Sequence, residues 1–315
     1  MQPKEIAALA ARIRQNIARV VVGKDDMAQL LLAAIFARGH VLLEDVPGTG
    51  KTVTARSLAK SVAGSFSRIQ FTPDLLPSDI TGARVYRQEE GQFVFHRGPV
   101  FAHILLADEI NRATPRTQSA LLECMEEGQV TEGGVTYPLP RPFLVVATQN
   151  PIEIQGTFPL PEAQLDRFLM RLTPGYPGDG EAVEILKRFQ SNEPLAELDS
   201  VCGCEDLLRA QEAVRQCAAA DCVMEYIAAL CRRTREDERT LLGVSPRGML
   251  AMLRAAQALA MTEGRAHVIP DDIQRLAVPV WAHRVIPRGF GNAAELSRQI
   301  VLDAVRDTPA PTETR

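Results

Sequence analysis

The run Asp45-Val46-Pro47-Gly48-Thr49-Gly50-Lys51-Thr52 constrains this chain more than any other feature. It follows a short apolar segment, His40-Val-Leu-Leu-Glu44, and opens a helical pattern from about Lys51 to Val62, for which Gly64 is the expected C-cap. A strand, a Gly-rich turn and a helix in that order aim backbone N–H groups and the positive helix end at an anion. Gly48 and Gly50 let the backbone approach phosphate oxygens. Lys51 offers its ammonium to the β- and γ-phosphates of a nucleotide, and Thr52 a hydroxyl to Mg²⁺. Val46, Pro47 and Thr49 complete the phosphate-contacting set. The general pattern G-x-x-x-x-G-K-[ST] begins with Gly, whereas this chain has Asp45, so the loop alone is an incomplete match.

Two further segments supply what the loop lacks. Beyond Lys51 the chain leaves room for a strand at Phe66 to Thr72 and then presents Leu105-Leu106-Ala107-Asp108-Glu109, an apolar strand ending in two acids. Asp108 at the strand end is placed to hold Mg²⁺ beside Thr52. Glu109, one residue on, faces the γ-phosphate and can polarise an attacking water. The next strand, Pro142 to Thr148, leads to Gln149-Asn150, and an amide at the tip of a buried strand beside the acids can orient that water.

These strands, with a fifth at Phe168 to Leu172, alternate with helical patterns, which predicts a parallel five-stranded sheet covered on both faces, an α/β P-loop core. Two hairpins interrupt it. Residues 83–87 and 92–96 flank Glu89-Glu90-Gly91, and 129–131 and 135–137 flank Gly133-Gly134. From about Glu181 the chain reads as helices over 181–190, 205–217, 223–236, 246–262, 270–284 and 293–306, with Pro270-Asp271-Asp272 as a strong helix start. The expected organisation is a core over 1–175 that includes an amphipathic N-terminal helix (Ile6, Leu9, Ile13, Ile17), a helical lid over 176–306 and a disordered tail over 307–315.

A net charge of −4 argues against a dominant polyanion-binding face. The longest apolar run, Leu30 to Phe36, is too short to span a bilayer, and no signal-type segment opens the chain, so a cytoplasmic protein without an integral membrane segment is expected. The six cysteines lack the C-x-x-C spacing of a zinc site and read as plain thiols.

Several strings then carry a family resemblance: Asp108-Glu-Ile-Asn-Arg-Ala113, Pro115-Arg-Thr-Gln-Ser-Ala-Leu-Leu-Glu123, Met125-Glu-Glu-Gly-Gln-Val130, Ala147-Thr-Gln-Asn-Pro151 and Leu160-Pro-Glu-Ala-Gln-Leu-Asp-Arg-Phe168. From about Val21 to Ile286 the chain resembles the MoxR family of AAA+ ATPases. In that family the loop commonly reads Glu-Asp-Val-Pro-Gly, so Asp45 is a family trait. The resemblance implies ATP and Mg²⁺ as ligands. It implies that the hairpins at 83–96 and 129–137 are the helix-2 insert and the pre-sensor-1 hairpin, which project into or around a ring. It further implies that Arg167 is an arginine finger reaching the γ-phosphate of a neighbouring subunit, where a guanidinium suits the charge of phosphoryl transfer. Arg247 in Val244-Ser-Pro-Arg-Gly248 matches sensor 2, acting in its own subunit or a neighbour's, and Val22-Gly23 matches the adenine-contacting turn. The implied protein is a homo-oligomeric ring, read as a hexamer, that hydrolyses ATP to remodel or mature protein clients with a separately encoded von Willebrand A domain partner and no nucleic acid. The alternatives are a nucleic-acid-dependent motor, the ATPase subunit of a metal chelatase, or a non-hydrolysing switch. The Gln129–Tyr137 hairpin carries Glu132 and no Lys or Arg, poor equipment for tracking phosphates.

Overall fold

A computed structural model describes residues 1–44, 48–89, 91–150, 156–190, 193–289 and 292–311. In chain order the elements are α1 (Pro3–Ala18), α2 (Asp25–Phe36), β1 (Val41–Glu44), α3 (Lys51–Ser61), β2 (Phe66–Gln70), α4 (Pro77–Thr81), β3 (Gly82–Arg87), β4 (Gln92–Arg97) and β5 (Ile104–Asp108). A 3₁₀ turn at Ile110–Arg112 leads to α5 (Pro115–Glu127), β6 (Gln129–Glu132), β7 (Val135–Pro138), β8 (Leu144–Gln149), α6 (Glu162–Leu165) and β9 (Met170–Leu172). The remainder comprises α7 (Asp179–Phe189), α8 (Cys204–Val214), α9 (Asp221–Glu236), β10 (Thr240–Leu242), α10 (Pro246–Thr262), α11 (Pro270–Trp281), β11 (Ile286–Pro287) and α12 (Ala293–Asp307).

The five anticipated strands form one parallel sheet in the order β2-β5-β8-β1-β9. Because side chains alternate along a strand, each central strand feeds two cores. Val41, Leu43, Ile104, Leu106, Leu144 and Val146 join the core built with α1, α2, α3 and the C-terminal helices. Leu42, Leu105, Ala107, Val145 and Ala147 join a second core under α5, with Phe71, Ile80 and Phe168. Burial on both faces explains why these strands read as continuous apolar runs rather than alternating ones. The order also puts β1, β5 and β8 side by side, so their C-terminal ends open onto one crevice.

α1 buries Ile6, Leu9, Ile13 and Ile17, the stripe expected from its spacing. It packs on α2, α3 and α10, so the first and last parts of the chain share a core. Both hairpins form, β3 with β4 and β6 with β7, and they touch: the Phe95 and Tyr137 rings stack with centroids 4.2 Å apart and planes 19° apart.

Four local readings need correction. The left-handed residue after α3 is Ala63 (φ +50°), and Gly64 follows it, donating its N–H to the Ala59 carbonyl. The C-terminal part also contains a short antiparallel ladder between β10 and β11 that helical periodicity does not signal. The helix expected to reach residue 284 ends at Trp281, which frees His283 and Arg284 from the helix. Asp307, assigned to the tail, is the last residue of α12, and residues 312–315 of that tail lie outside the described residues. Among the described residues no helix is long and apolar enough to cross a membrane. The six cysteines are free thiols, and burial pushes Cys124 and Cys231 up to about 12.

Candidate active site

The crevice at the strand ends holds a cavity of about 410 Å³. Its floor is the N-terminus of α3: Gly48, Gly50, Lys51 and Thr52 all line it. Gly48 and Gly50 both adopt φ +86°, and among the described residues a Cβ on either would meet nothing within 4 Å. The two glycines are therefore required by backbone conformation, and the open space above them is the cradle an oxyanion would fill. The Gly50 carbonyl accepts from Thr54 N at 2.9 Å and Thr54 Oγ1 at 3.0 Å, which anchors the turn to the helix. Val46 and Pro47, assigned to the same loop, lie outside the described residues.

The opposite wall carries Asp108, Glu109, Thr148 and Asn150, so the four strand-end groups meet at one cavity. Thr148 Oγ1 donates to Asp108 Oδ1 at 2.6 Å and accepts from Glu109 N at 2.8 Å. Glu109 has φ +56° and ψ +51°, a left-handed conformation that costs a residue with a Cβ energy and persists only where its surroundings impose it. The Thr148 bond to its N–H is one such constraint. Asp108 Oδ2 accepts from Arg68 Nη2 at 2.6 Å and Nε at 3.2 Å. Glu109 Oε2 accepts from Gln70 Nε2 at 2.7 Å and Arg112 Nη1 at 3.0 Å. Asn150 is buried at the tip of β8. An ammonium, a hydroxyl, N-terminal amides and two carboxylates around one cavity can seat a triphosphate with a divalent cation and present a base to its last phosphorus.

Gly23 lines a second cavity of about 610 Å³, together with Glu44 at the end of β1; Val22 does not line it. Gly23 has φ +71°, and a Cβ there would sit 2.2–2.4 Å from the Glu181 carboxylate atoms. Lys24 Nζ donates to the carbonyls of Pro174 and Gly175, at 2.6 and 2.7 Å, and holds the turn after β9 against this wall.

Arg167 and Arg247 line neither cavity. They share one carboxylate instead. Arg167 Nη2 lies 3.1 Å from Glu126 Oε2, and Arg247 Nη2 donates to Glu126 Oε1 at 3.1 Å. One carboxylate at the end of α5 thus gathers both arginines at a site apart from the chain's own P-loop.

Comparison with known proteins decides the family. Residues 40–170 match the family model described as "ATPase family associated with various cellular activities (AAA)", and residues 232–303 match the AAA lid domain. The chain is 50% identical to the uncharacterized protein YeaC of Bacillus subtilis, covering 90% of this chain and 88% of that protein. It is 44% identical to Chaperone MoxR1 of Mycobacterium tuberculosis, covering 94% and 80%. The crystal structure of "a putative ATPase" from Cytophaga hutchinsonii superposes with a TM-score of 0.90 at 37% identity, covering 98% and 97%.

The chain belongs to the MoxR family of AAA+ ATPases.

As a MoxR-family core, the structure adds three residues that sequence reasoning missed: Arg68, Gln70 and Thr148. The signal was present in part. Arg68 and Gln70 sit two apart on β2 and so share a face, and the β2–β5 register puts Gln70 opposite Asp108. Thr148 stands two residues before Asn150 inside an apolar strand, where a hydroxyl needs a partner.

Proposed function

We propose that this MoxR-family chain hydrolyses ATP to ADP and phosphate within a ring of its own copies and uses the cycle to remodel or mature partner proteins. The observation that carries this reading is the meeting of Lys51, Thr52, Asp108, Glu109 and Asn150 around one cavity. The loop from Val46 to Thr52 cradles the phosphates, and Val22 and Gly23 flank the base. Thr52 and Asp108 would hold Mg²⁺, which when bound spreads the charge of the β- and γ-phosphates. Asn150 orients a water and Glu109 accepts its proton as the oxygen attacks the γ-phosphorus and the bond to the bridging oxygen breaks. For that, Glu109 must exchange at least one of its present partners, Gln70 and Arg112.

Arg167 serves the γ-phosphate of the adjacent subunit. Its station on Glu126, away from its own P-loop cavity, supports action in trans. Arg247 shares that station and so is assigned to the same neighbouring site. A ring follows, with a hexamer as the proposed size. The protein client is supported by the name of the relative Chaperone MoxR1. The same reading keeps a separately encoded von Willebrand A domain partner, a cytoplasmic location and a division into a core over 1–175 and a lid over 176–306.

The deciding experiment measures ATP turnover and oligomer size for the wild type and Glu109→Gln. The expected result is a ring that binds ATP in both cases and turns it over only in the wild type. Wild-type turnover by Glu109→Gln would remove the assigned role of Glu109, and stimulation by single-stranded DNA would favour a nucleic-acid motor over a protein remodeller.

A further inference from the structure

Arg284 is the most deeply committed cation outside the cavity. Its side chain is 3% exposed although it follows a helix that ends at Trp281. Nε donates to Asp166 Oδ1 at 2.6 Å, and Nη2 donates to the carbonyls of Phe168 at 2.6 Å and Asp166 at 3.1 Å. Nη1 donates to the Leu169 carbonyl at 3.2 Å and to the Val280 carbonyl. Burial pulls this guanidinium below its usual range while the Asp166 carboxylate opposes that shift.

The acceptors in the core have one thing in common. Asp166, Phe168 and Leu169 bracket Arg167, so one lid residue grips the backbone on both sides of the proposed finger. The grip extends to the second arginine. A Cβ on Gly248 would lie 3.0 Å from Arg284 Cδ, and the Gly248 carbonyl accepts from Trp281 Nε1 at 3.0 Å. Gly248 follows Arg247 directly, and Arg247 Nε lies 4.0 Å from Asp166 Oδ2. A planar five-donor fork is the side chain that can hold so many acceptors in fixed geometry, and an ammonium could not replace it.

We infer that Arg284 is a positioning residue that clamps the Asp166–Leu169 segment to the lid, so that Arg167 is delivered to the neighbouring subunit's nucleotide only when the lid is correctly seated. This rests on the proposal that Arg167 acts in trans. Arg284 touches no nucleotide. Its loss leaves the subunit's own cavity intact and spoils the finger that subunit offers.

Subunit mixing tests this. Arg284→Met should bind ATP within about twofold of wild type yet turn it over about 10–100-fold more slowly, the scale of a misplaced catalytic group. Mixed with Lys51→Ala subunits, which cannot use ATP but carry a sound finger, it should recover turnover above either parent. Asp166→Asn, at a partly exposed position, runs in parallel and decides the matter if Arg284→Met fails to assemble. Arg167→Ala mixed with Lys51→Ala is the control. If the control recovers and the Arg284 and Asp166 variants do not, the clamp is refuted while trans action stands. If the control fails, trans action is wrong and the inference falls with it. Wild-type turnover by both clamp variants alone also overturns it.

Discussion

Gln70 Nε2 donates a 2.7 Å hydrogen bond to Glu109 Oε2, the oxygen that Arg112 Nη1 also reaches at 3.0 Å. The proposed base is thus held by a neutral amide and a cation, one from the adjacent strand and one from the turn that follows it. Releasing the amide alone removes a bond worth about 1 kcal/mol. Gln70→Ala is therefore expected to raise basal ATP turnover by about fivefold. Steady-state phosphate release measures this, and an unchanged or lower rate refutes the restraint.

Thr148 joins the two acids, donating to Asp108 and accepting from the strained Glu109 amide. Thr148→Val removes both bonds at constant shape. Turnover should fall about 10–100-fold, the equivalent of one to two buried hydrogen bonds, with ATP affinity little changed. Thr148→Ser keeps the hydroxyl and should stay close to wild type. Equal losses in the two variants would mean that the methyl group matters and the bonds do not.

Gly23 and Gly91 both have positive φ, at +71° and +65°, but differ in what surrounds them. Among the described residues a Cβ at Gly91 meets nothing within 4 Å, whereas at Gly23 it strikes the Glu181 carboxylate. Gly91→Ala should cost about 1 kcal/mol of backbone strain and Gly23→Ala about 1–2 kcal/mol, because the Glu181 carboxylate ends a flexible side chain and can swing aside at the loss of its bond from Gly178 N. Thermal unfolding should show a drop of several degrees for Gly23→Ala and a smaller one for Gly91→Ala. Equal drops would remove Glu181 from the account.

His40 predicts acid sensitivity. Its Nδ1 accepts from Val145 N at 3.0 Å, and its Nε2 faces the Met125 carbonyl at 3.1 Å, a pairing that only the neutral ring with the proton on Nε2 satisfies. Burial holds its pKa at about 4 against an ordinary 6.5. The unfolded chain therefore takes up this proton first as pH falls, so the contribution is present above pH 6.5 and is lost between 6.5 and about 4. The loss is about 3 kcal/mol. Denaturant unfolding across that window should slope downward for the wild type and less so for His40→Gln, which should be less stable at neutral pH. Parallel slopes would assign the acid loss to other groups, His283 among them, whose pKa burial also depresses.

The stack of Phe95 on Tyr137 fastens one hairpin to the other. A double-mutant cycle of Phe95→Leu and Tyr137→Leu, read by chemical unfolding, should return a coupling of about 0.5–1.5 kcal/mol. Additive single effects would show that the hairpins are energetically independent.

How far the fold and site were legible depends on how local the relevant physics is. The loop geometry was legible because left-handed glycines and a helix start act over a few residues, and the strands because their apolar runs end in polar groups. Ala63 in the left-handed position beside Gly64 shows the limit even there: the packing of α3 chose which residue turns. Arg68 and Gln70 were readable as one strand face, but their partners Asp108 and Glu109 are about forty positions away and were fixed by strand order.

The sequence by itself determined the family, the P-loop α/β core, its two hairpins and, of the cavity wall, Gly48, Gly50, Lys51, Thr52, Asp108, Glu109 and Asn150. Each of these follows from spacing, from backbone preference or from strings the family shares. Only the tertiary structure decided that Arg167 and Arg247 meet on Glu126, and that Arg284, 118 positions from Asp166, grips the segment between Asp166 and Leu169. No local preference encodes such meetings. They depend on how the C-terminal helices pack over the sheet, where burial makes a guanidinium seek every available carbonyl.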